Sequence, residues 1–326
     1  MALNTKYSKE LYQQFCEENE DALPINYMPW WLDWVCVNGE WLGLVVIENE
    51  EIIAIQPLYI TKIYGLSVVT TPPLTVFNGL WIKNLAGMKE VNKSKKETKI
   101  IQEAIKALPS KVSFYTQNFH YSFKNWLPYF WEKYSQTTRY SYRISDSKLY
   151  SIKDLASNIR NKINKASQQL QITTLNDPNQ VYYMWSKTLH QNGIRTPLTE
   201  SQFLALDKEL ALRGQRTIHA VLDATGSIHG VNYLIHDAKA IYNLILANST
   251  EYAESGASAF LLHHAILSSA ASGKVFDFEG SMLEKMNDLF SGFGGEQTAY
   301  NRIYKAKSLW IDLVFRFKDR FAKGIR

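Results

Sequence analysis

Cysteine is nearly absent, with Cys16 and Cys36 the only two in 326 residues. They show neither the paired spacing of a metal site nor the density of an oxidised framework. A disulfide scaffold is excluded, and two free buried thiols are expected. Long apolar runs are also missing. The longest nearly pure stretch, Trp41 to Ile47, falls far short of the roughly 20 residues that cross a bilayer, so no integral membrane segment is expected. Lys6, Lys9 and Glu10 stand where a secretory signal would need its apolar core, which makes the cytoplasm the expected location. Histidine is scarce, at seven residues, and the adjacent His263 and His264 point to different sides of a helix, so no metal-ligand cluster is expected.

Several catalytic signatures are absent too. The chain has no P-loop, no HExxH and no GxSxG. Gly292, Gly294 and Gly295 are followed by Glu296 and Gln297, so the third glycine of a dinucleotide fingerprint is lacking, and the run precedes a strand rather than opening a helix. Kinase, metalloprotease, α/β-hydrolase and Rossmann chemistries are thereby set aside.

What is present is an ordinary globular composition, 46% apolar and 21% charged, at a length that favours two domains. The pattern of elements is mixed α/β and occurs twice. In the first half, amphipathic helices lead into strands near 40–48 and 51–61 joined at Asn49 and Glu50, then a strand over 66–70. A helix over 93–108, a strand over 111–115, an aromatic helix over 121–133 and a strand over 137–144 come after it. The second half begins with helices over 152–169, 180–191 and 199–213, the last with Thr199 as N-cap and Gln202 three places on. Strands over 217–223, 228–236 and 240–247, a small-residue helix over 257–271 and a strand over 274–279 come next. A helix over 282–290, a glycine-rich turn, a final strand and a basic helix complete it. The fold class is therefore α/β (α+β), with two domains of similar design divided as 1–147 and 148–326.

Charge is uneven. From Arg302 to Arg326 eight basic side chains face only Asp312 and Asp319, a net +6 against +5 for the whole chain. The positive excess belongs to that tail, and any affinity for polyanions is local. There, Leu309, Trp310, Leu313, Val314, Phe317 and Phe321 follow steps of three and four and form one apolar stripe. Two readings stay open for residues 305–326: packing on a domain, or peripheral contact with an anionic membrane at its inner face.

Several short segments are more specific together than singly. They are Asn158-Ile-Arg160-Asn-Lys162-Ile-Asn-Lys165-Ala166, Phe276-Asp277-Phe278-Glu279-Gly280-Ser281 and Phe293-Gly294-Gly295-Glu296-Gln297. The first half adds Thr71-Pro72-Pro73-Leu74-Thr75, Gly79-Leu80-Trp81 and Asn125-Trp126-Leu127-Pro128. In this order they resemble the FemAB-like acyltransferases, the methicillin resistance protein family, over nearly the whole chain. That resemblance implies two tandem GNAT-like domains (the acyl-CoA N-acyltransferase fold) with mixed central sheets. It also implies transfer of an acyl or aminoacyl group from an activated donor to an acceptor amine. The donor in such a family is acyl-CoA or aminoacyl-tRNA, with no resident cofactor required. The acceptor is a small-molecule or lipid-linked amine, peptidoglycan-related in the best-known branch. This chain departs from the pattern in two places. Phe290-Ser291-Gly292 precedes Phe293 where the peptidoglycan branch commonly has a lysine, and the coenzyme A signature is represented only by Ala253-x-x-Gly256-x-Ser258. The alternative is a catalytically silent GNAT-fold protein that binds a cell-wall glycan or lipid-linked precursor.

Individual residues carry matched functional and structural readings. Strand alternation over 274–279 puts Phe276 and Phe278 on one face and Asp277 and Glu279 on the other. Glu279, and after it Asp277, are candidates for the base that takes a proton from the amine; the structural alternative is a pair of carboxylates bonding a neighbouring loop. Gly256, Ala257 and Ser258 open a helix whose free N–H groups and dipole suit a phosphate, or simply form a cap. Arg160 and Lys165 are candidates for contact with an anionic ligand, Lys162 for solvated surface. Trp81 after Gly79, and Ser281 after Gly280, complete the candidate substrate-binding set. The many other aromatics fit core packing.

Overall fold

The computed structural model describes residues 3–85, 87–280, 282 and 284–321, and the chain forms two compact units. Among the described residues one comprises Leu3–Arg139 together with Ala299–Phe321; the other is Tyr140–Thr298.

The first unit contains β1 (Leu3–Tyr7), α1 (Lys9–Glu18), α2 (Pro29–Val35), β2 (Gly39–Glu48), β3 (Glu51–Ile63), β4 (Leu66–Thr70), β5 (Trp81–Ile82), α3 (Glu90–Lys106), β6 (Phe114–Asn118) and α4 (Leu127–Trp131). The next strand, β7 (Ser135–Ile144), carries the chain into the second unit. Local chemistry sets the boundaries. The Ser8 hydroxyl accepts the Leu11 N–H at 3.2 Å to start α1. Asn49 and Glu50, at φ of 50° and 68°, give the β2–β3 hairpin the twist of a type I′ turn. Ile100, Ile101, Ala104 and Ile105 on one side of α3 join Leu44, Val46, Ile53 and Leu58 of the sheet in a buried core.

The second unit contains α5 (Ser157–Gln169), β8 (Gln171–Thr174), α6 (Pro178–Gln191), α7 (Glu200–Leu212), β9 (Arg216–Leu222), β10 (Ile228–His236), β11 (Ala240–Asn248), α8 (Ala257–Ser272), β12 (Val275–Asp277) and α9 (Glu284–Gly292). The last two elements are β13 (Glu296–Ala306) and α10 (Leu309–Phe321). The box at Thr199 and Gln202 forms reciprocally, at 2.9 and 3.3 Å. Leu262, Ala265 and Ile266 of α8 pack with Leu234, Ile241, Phe276, Phe278, Phe290 and Phe293. The small side chains of α8 let it approach the sheet closely.

Strand order makes the two units alike. In the first it is β1-β2-β3-β4-β6-β13, with β4 and β6 parallel and the other pairs antiparallel where their register is defined. In the second, β8-β9-β10-β11-β12-β7 has its parallel pair at β11 and β12. The sixth strand is exchanged. β13, from the far end of the chain, pairs with β6 through Arg302↔Asn118 to Ala306↔Phe114, whereas β12 pairs with β7 through Asp277↔Arg143. The expected division at residue 147 differs for this reason, because it let each half close its own sheet.

Two further expectations shift. The strand expected over 111–115 lies at Phe114–Asn118, because the buried Gln117 amide donates to the carbonyls of Pro57 and Asn78, at 2.7 Å each, and so satisfies polar residues that read as loop. The aromatic helix over 121–133 contracts to Leu127–Trp131. Upstream, His120 Nδ1 accepts the Ser122 N–H at 3.2 Å and fixes a turn, and Pro128 fits only at a helix start. The short strands β1, β5 and β8 carry too little alternation to announce themselves.

Candidate active site

The parallel pair β11–β12 is short. Its register runs Ala240↔Val275, Ile241↔Phe276, Tyr242↔Asp277 and ends there, while β11 continues to Asn248. A bulge falls just past that point, since Tyr233↔Ile245 and Leu234↔Asn243 leave Leu244 as the extra residue on β11. Bulges commonly re-aim a strand beside a functional site. The two strands thus part where Asp277 and Glu279 stand.

Asp277 is buried, and its carboxylate ties β7 to the turn that follows β12. Oδ1 accepts the Ser141 hydroxyl at 2.6 Å and the Glu279 N–H at 2.8 Å, and Arg143 Nε lies 3.5 Å from Oδ2. The Phe278 N–H donates to the Tyr142 carbonyl at 2.9 Å. Glu279 leaves the strand. Its φ is +61°, so the alternation expected through 279 stops at Phe278, and its buried side chain is set by a left-handed turn rather than by the pleat. Gly280 continues that turn at φ +70°, and a Cβ there would lie 2.6 Å from the Tyr140 carbonyl oxygen.

The glycine-rich turn supports this corner. Phe293 is buried with Phe278 and Phe290, and a Cβ on Gly295 would stand 2.8 Å from the Phe290 carbonyl oxygen and 3.2 Å from the Phe278 ring. Tyr142 donates to Asn287 and accepts from Gln297 Nε2 at 2.8 Å. The motif residues Gly295 and Gln297 therefore brace the strand beside Asp277.

The remaining expected residues lie on other elements. Gly256 caps α8 at φ +82°, with the Lys162 carbonyl oxygen 2.7 Å from where a Cβ would sit, so the start of α8 is pinned against α5. Ala257 is buried, and the Ser258 hydroxyl accepts from Asn248. Lys165 and Lys162 are exposed on that same α5, whereas the Arg160 guanidinium donates to the Lys153 carbonyl at 3.0 Å. The structure therefore brings the Gly256–Ser258 cap to the α5 segment. Trp81 lies in the first unit, its ring edge-on to Tyr27 at 5.5 Å and tilted to His120 at 5.1 Å. Ser281 falls outside the described residues.

Sequence reasoning passed over Ser141 and Arg143, which nothing in the local pattern of β7 marks. It also passed over a polar layer on the α8 side of the sheet. His219 and Asn232 are opposite each other on β9 and β10, and His219 meets His264 of α8 edge-on at 4.6 Å. Both amide atoms of Asn232, Asn243 Oδ1 and His219 Nδ1 are buried with no hydrogen-bonding partner among the described residues. Burial, and secondarily His264, pushes His219 down to about 4. The only local signal was polar residues within strands of β-branched and aliphatic neighbours. No cluster of three or more His, Cys, Asp or Glu among the described residues is arranged to hold a metal ion. No helix there is long and apolar enough to cross a membrane.

No protein-family model matches the sequence, and no curated protein matches it. Solved structures do. FemX superposes with a TM-score of 0.59 at 11% identity, over 92% of this chain and 97% of that one. A tandem GNAT protein from the clavulanic acid biosynthesis pathway gives 0.55 at 10% identity, covering 93% and 98%. L-PGS from Bacillus licheniformis gives 0.58 at 11%, covering 95% and 96%. These similarities span nearly all of both chains in each comparison. The chain has the tandem GNAT fold.

Proposed function

We propose that the protein is an acyltransferase or aminoacyltransferase in which an acceptor amine attacks the activated carbonyl of a donor, with Glu279 as base and Asp277 positioning it. The observation that carries this reading is the parting of β11 from β12 at Tyr242 and Asp277, with the Glu279 turn directly beyond it. Past that point no described strand pairs with that edge of β11, whose backbone would bond an extended, amide-bearing donor as an added strand would. In the reaction the amine nitrogen forms a bond to the carbonyl carbon, its proton passes to the Glu279 carboxylate, and the leaving group departs with the bonding electron pair. That group is the thiolate of an acyl-CoA or the ribose oxygen of an aminoacyl-tRNA. No covalent enzyme intermediate is needed, so positioning and proton removal are the protein's contribution.

The Gly256–Ala257–Ser258 cap and Lys165 on the adjoining α5 face the same task, holding phosphates of the donor, with Arg160 at the start of α5. Ser281 belongs to the acceptor side of this reading. The acceptor is a small-molecule or lipid-linked amine, and a lipid-linked one would bring residues 305–326 to a membrane surface.

The test is transfer of a labelled acyl group from acetyl-CoA, and separately from charged tRNA, to an amine panel. Glu279→Gln should lower turnover by about 10²–10⁴-fold while donor-induced thermal stabilisation persists. Wild-type turnover in that variant would remove Glu279 from the reaction. Neither transfer nor stabilisation with both donors would overturn the proposed activity.

A further inference from the structure

Helix α10 is apolar on two sides, and only one of them is accounted for by the fold. Phe315 is buried and stacks on Phe114, with ring centroids 4.1 Å apart and planes 9° from parallel. Ile311, one turn earlier, packs into the same cluster with Val68, Ile63, Leu66, Tyr304 and Ala306. This is a docking stripe on the first unit. The stripe expected from sequence is a different one. Leu309, Trp310, Leu313 and Val314 remain 75%, 79%, 41% and 44% exposed. The two readings of this helix are therefore not exclusive, since it docks through one face and presents another. Contiguous large apolar side chains at such exposure mark an interaction surface.

The surroundings say what covers it. The β3–β4 hairpin ends at Tyr64, which is 74% exposed, while its neighbours Ile63 and Leu66 pack in the cluster that seats Ile311 and Phe315. Lys307, whose N–H donates to the Ser113 carbonyl at 2.9 Å, is exposed just before α10. In sequence the tail from Arg302 carries eight basic residues against two acidic. A nucleic acid would stack its bases on rings, and on this helix face Leu309, Leu313 and Val314 outnumber the one indole of Trp310, while a second copy would set a net +6 tail against its equal. Apolar side chains flanked by an indole, a phenol and a tail of predominantly positive charge fit the boundary between headgroups and acyl chains of an anionic bilayer.

We propose that the outer face of α10, with the Tyr64 hairpin beside it, is a site that lies on an anionic lipid surface. The inference goes beyond the transfer reaction and holds whichever donor or acceptor is used. The test is co-sedimentation of the full chain with vesicles of phosphatidylglycerol and phosphatidylcholine, against vesicles of phosphatidylcholine alone, at low and high salt. The intact chain should partition to the anionic vesicles, less so at high salt. W310E/L313E should reduce that partitioning about tenfold or more while the melting temperature and light-scattering mass stay unchanged. If that pair perturbs folding, L309Q/W310Q alters the two most exposed positions and serves the same purpose. Three results would overturn the proposal: indifference of the intact chain to anionic vesicles, undiminished binding by both variants, or loss in the variants of a concentration-dependent dimer. A tail that binds tRNA but not vesicles would overturn it as well.

Discussion

The two units share one strand order and differ in the residues directly after the strand that pairs parallel. In the second unit that strand is β12, and Asp277, Glu279 and Gly280 form a charged, tightly bonded turn at its end. In the first it is β6, and the chain continues into Phe119, His120 and Tyr121. There Phe77 meets His120, Tyr121 and Tyr300 edge-on at 5.0–5.6 Å, and Trp81, tilted against His120, is the fifth ring of the cluster. The buried polar side chains of β6 are neutral, with Gln56 Nε2 donating to the Tyr115 hydroxyl at 2.9 Å and to Gln117 Oε1 at 2.6 Å. One corner of the shared topology thus keeps carboxylates, and the other fills the equivalent place with rings. The two units share the frame, and the residues after one short strand decide which of them carries buried carboxylates there.

The comparison breaks most sharply at Asp277. Asp277→Ala leaves Arg143, Ser141 and the Glu279 amide without that carboxylate and should cost about 3–5 kcal/mol, since half of a buried ion pair is removed. Gln117→Ala, its neutral counterpart in the first unit, should cost about 1–3 kcal/mol through unsatisfied carbonyls. Chemical denaturation of both variants checks the order, and equal losses would erase the distinction.

Acid should act on the second unit through His219. Its folded value of about 4 lies below the ordinary value of 6.5, so the unfolded chain binds the proton more readily between those limits. Stability from this group is complete above about pH 6.5 and is lost as pH falls towards 4, up to about 3 kcal/mol. His219→Phe keeps a ring against His264 and should flatten that part of the melting profile. An unchanged profile in the variant would show that the proton is taken elsewhere.

The smallest effect is expected at Asn232. Replacing its buried amide by leucine should raise stability by about 1–2 kcal/mol, because a polar group with no partner among the described residues is exchanged for an apolar one of similar size. Calorimetry of Asn232→Leu measures the gain, and a loss would mean that the amide holds something the fold needs.

Much of this was legible in the chain. The Asn49–Glu50 turn, the Thr199–Gln202 box, the strand at Ile228–His236 and the start of α8 at Ala257 all stand where local pattern places them, because each depends on residues within a few positions of one another. The long-range features were not legible. Ser141 meets Asp277 across 136 positions, and no spacing announces such a partner. The polar end of β6 read as loop because the amides that satisfy it come from residues about 40 to 60 positions away. Glu279 was singled out for its chemistry, but the left-handed turn that aims it is visible only in the backbone.

The exchanged sixth strand has a consequence for how the chain reaches this state. On a ribosome the first five strand positions of the first unit are complete long before β13 exists, so the free edge of β6 must wait for residues near Arg302 to emerge. At about 5–20 residues per second that interval is on the order of 10–40 s, far longer than a hairpin or helix needs to form. During synthesis the first half is therefore an open sheet with a bare edge, a species prone to capture by chaperones or by another nascent chain. The last strand acts as a delayed clasp, so the two units are expected to be inseparable in biogenesis even though each has its own core.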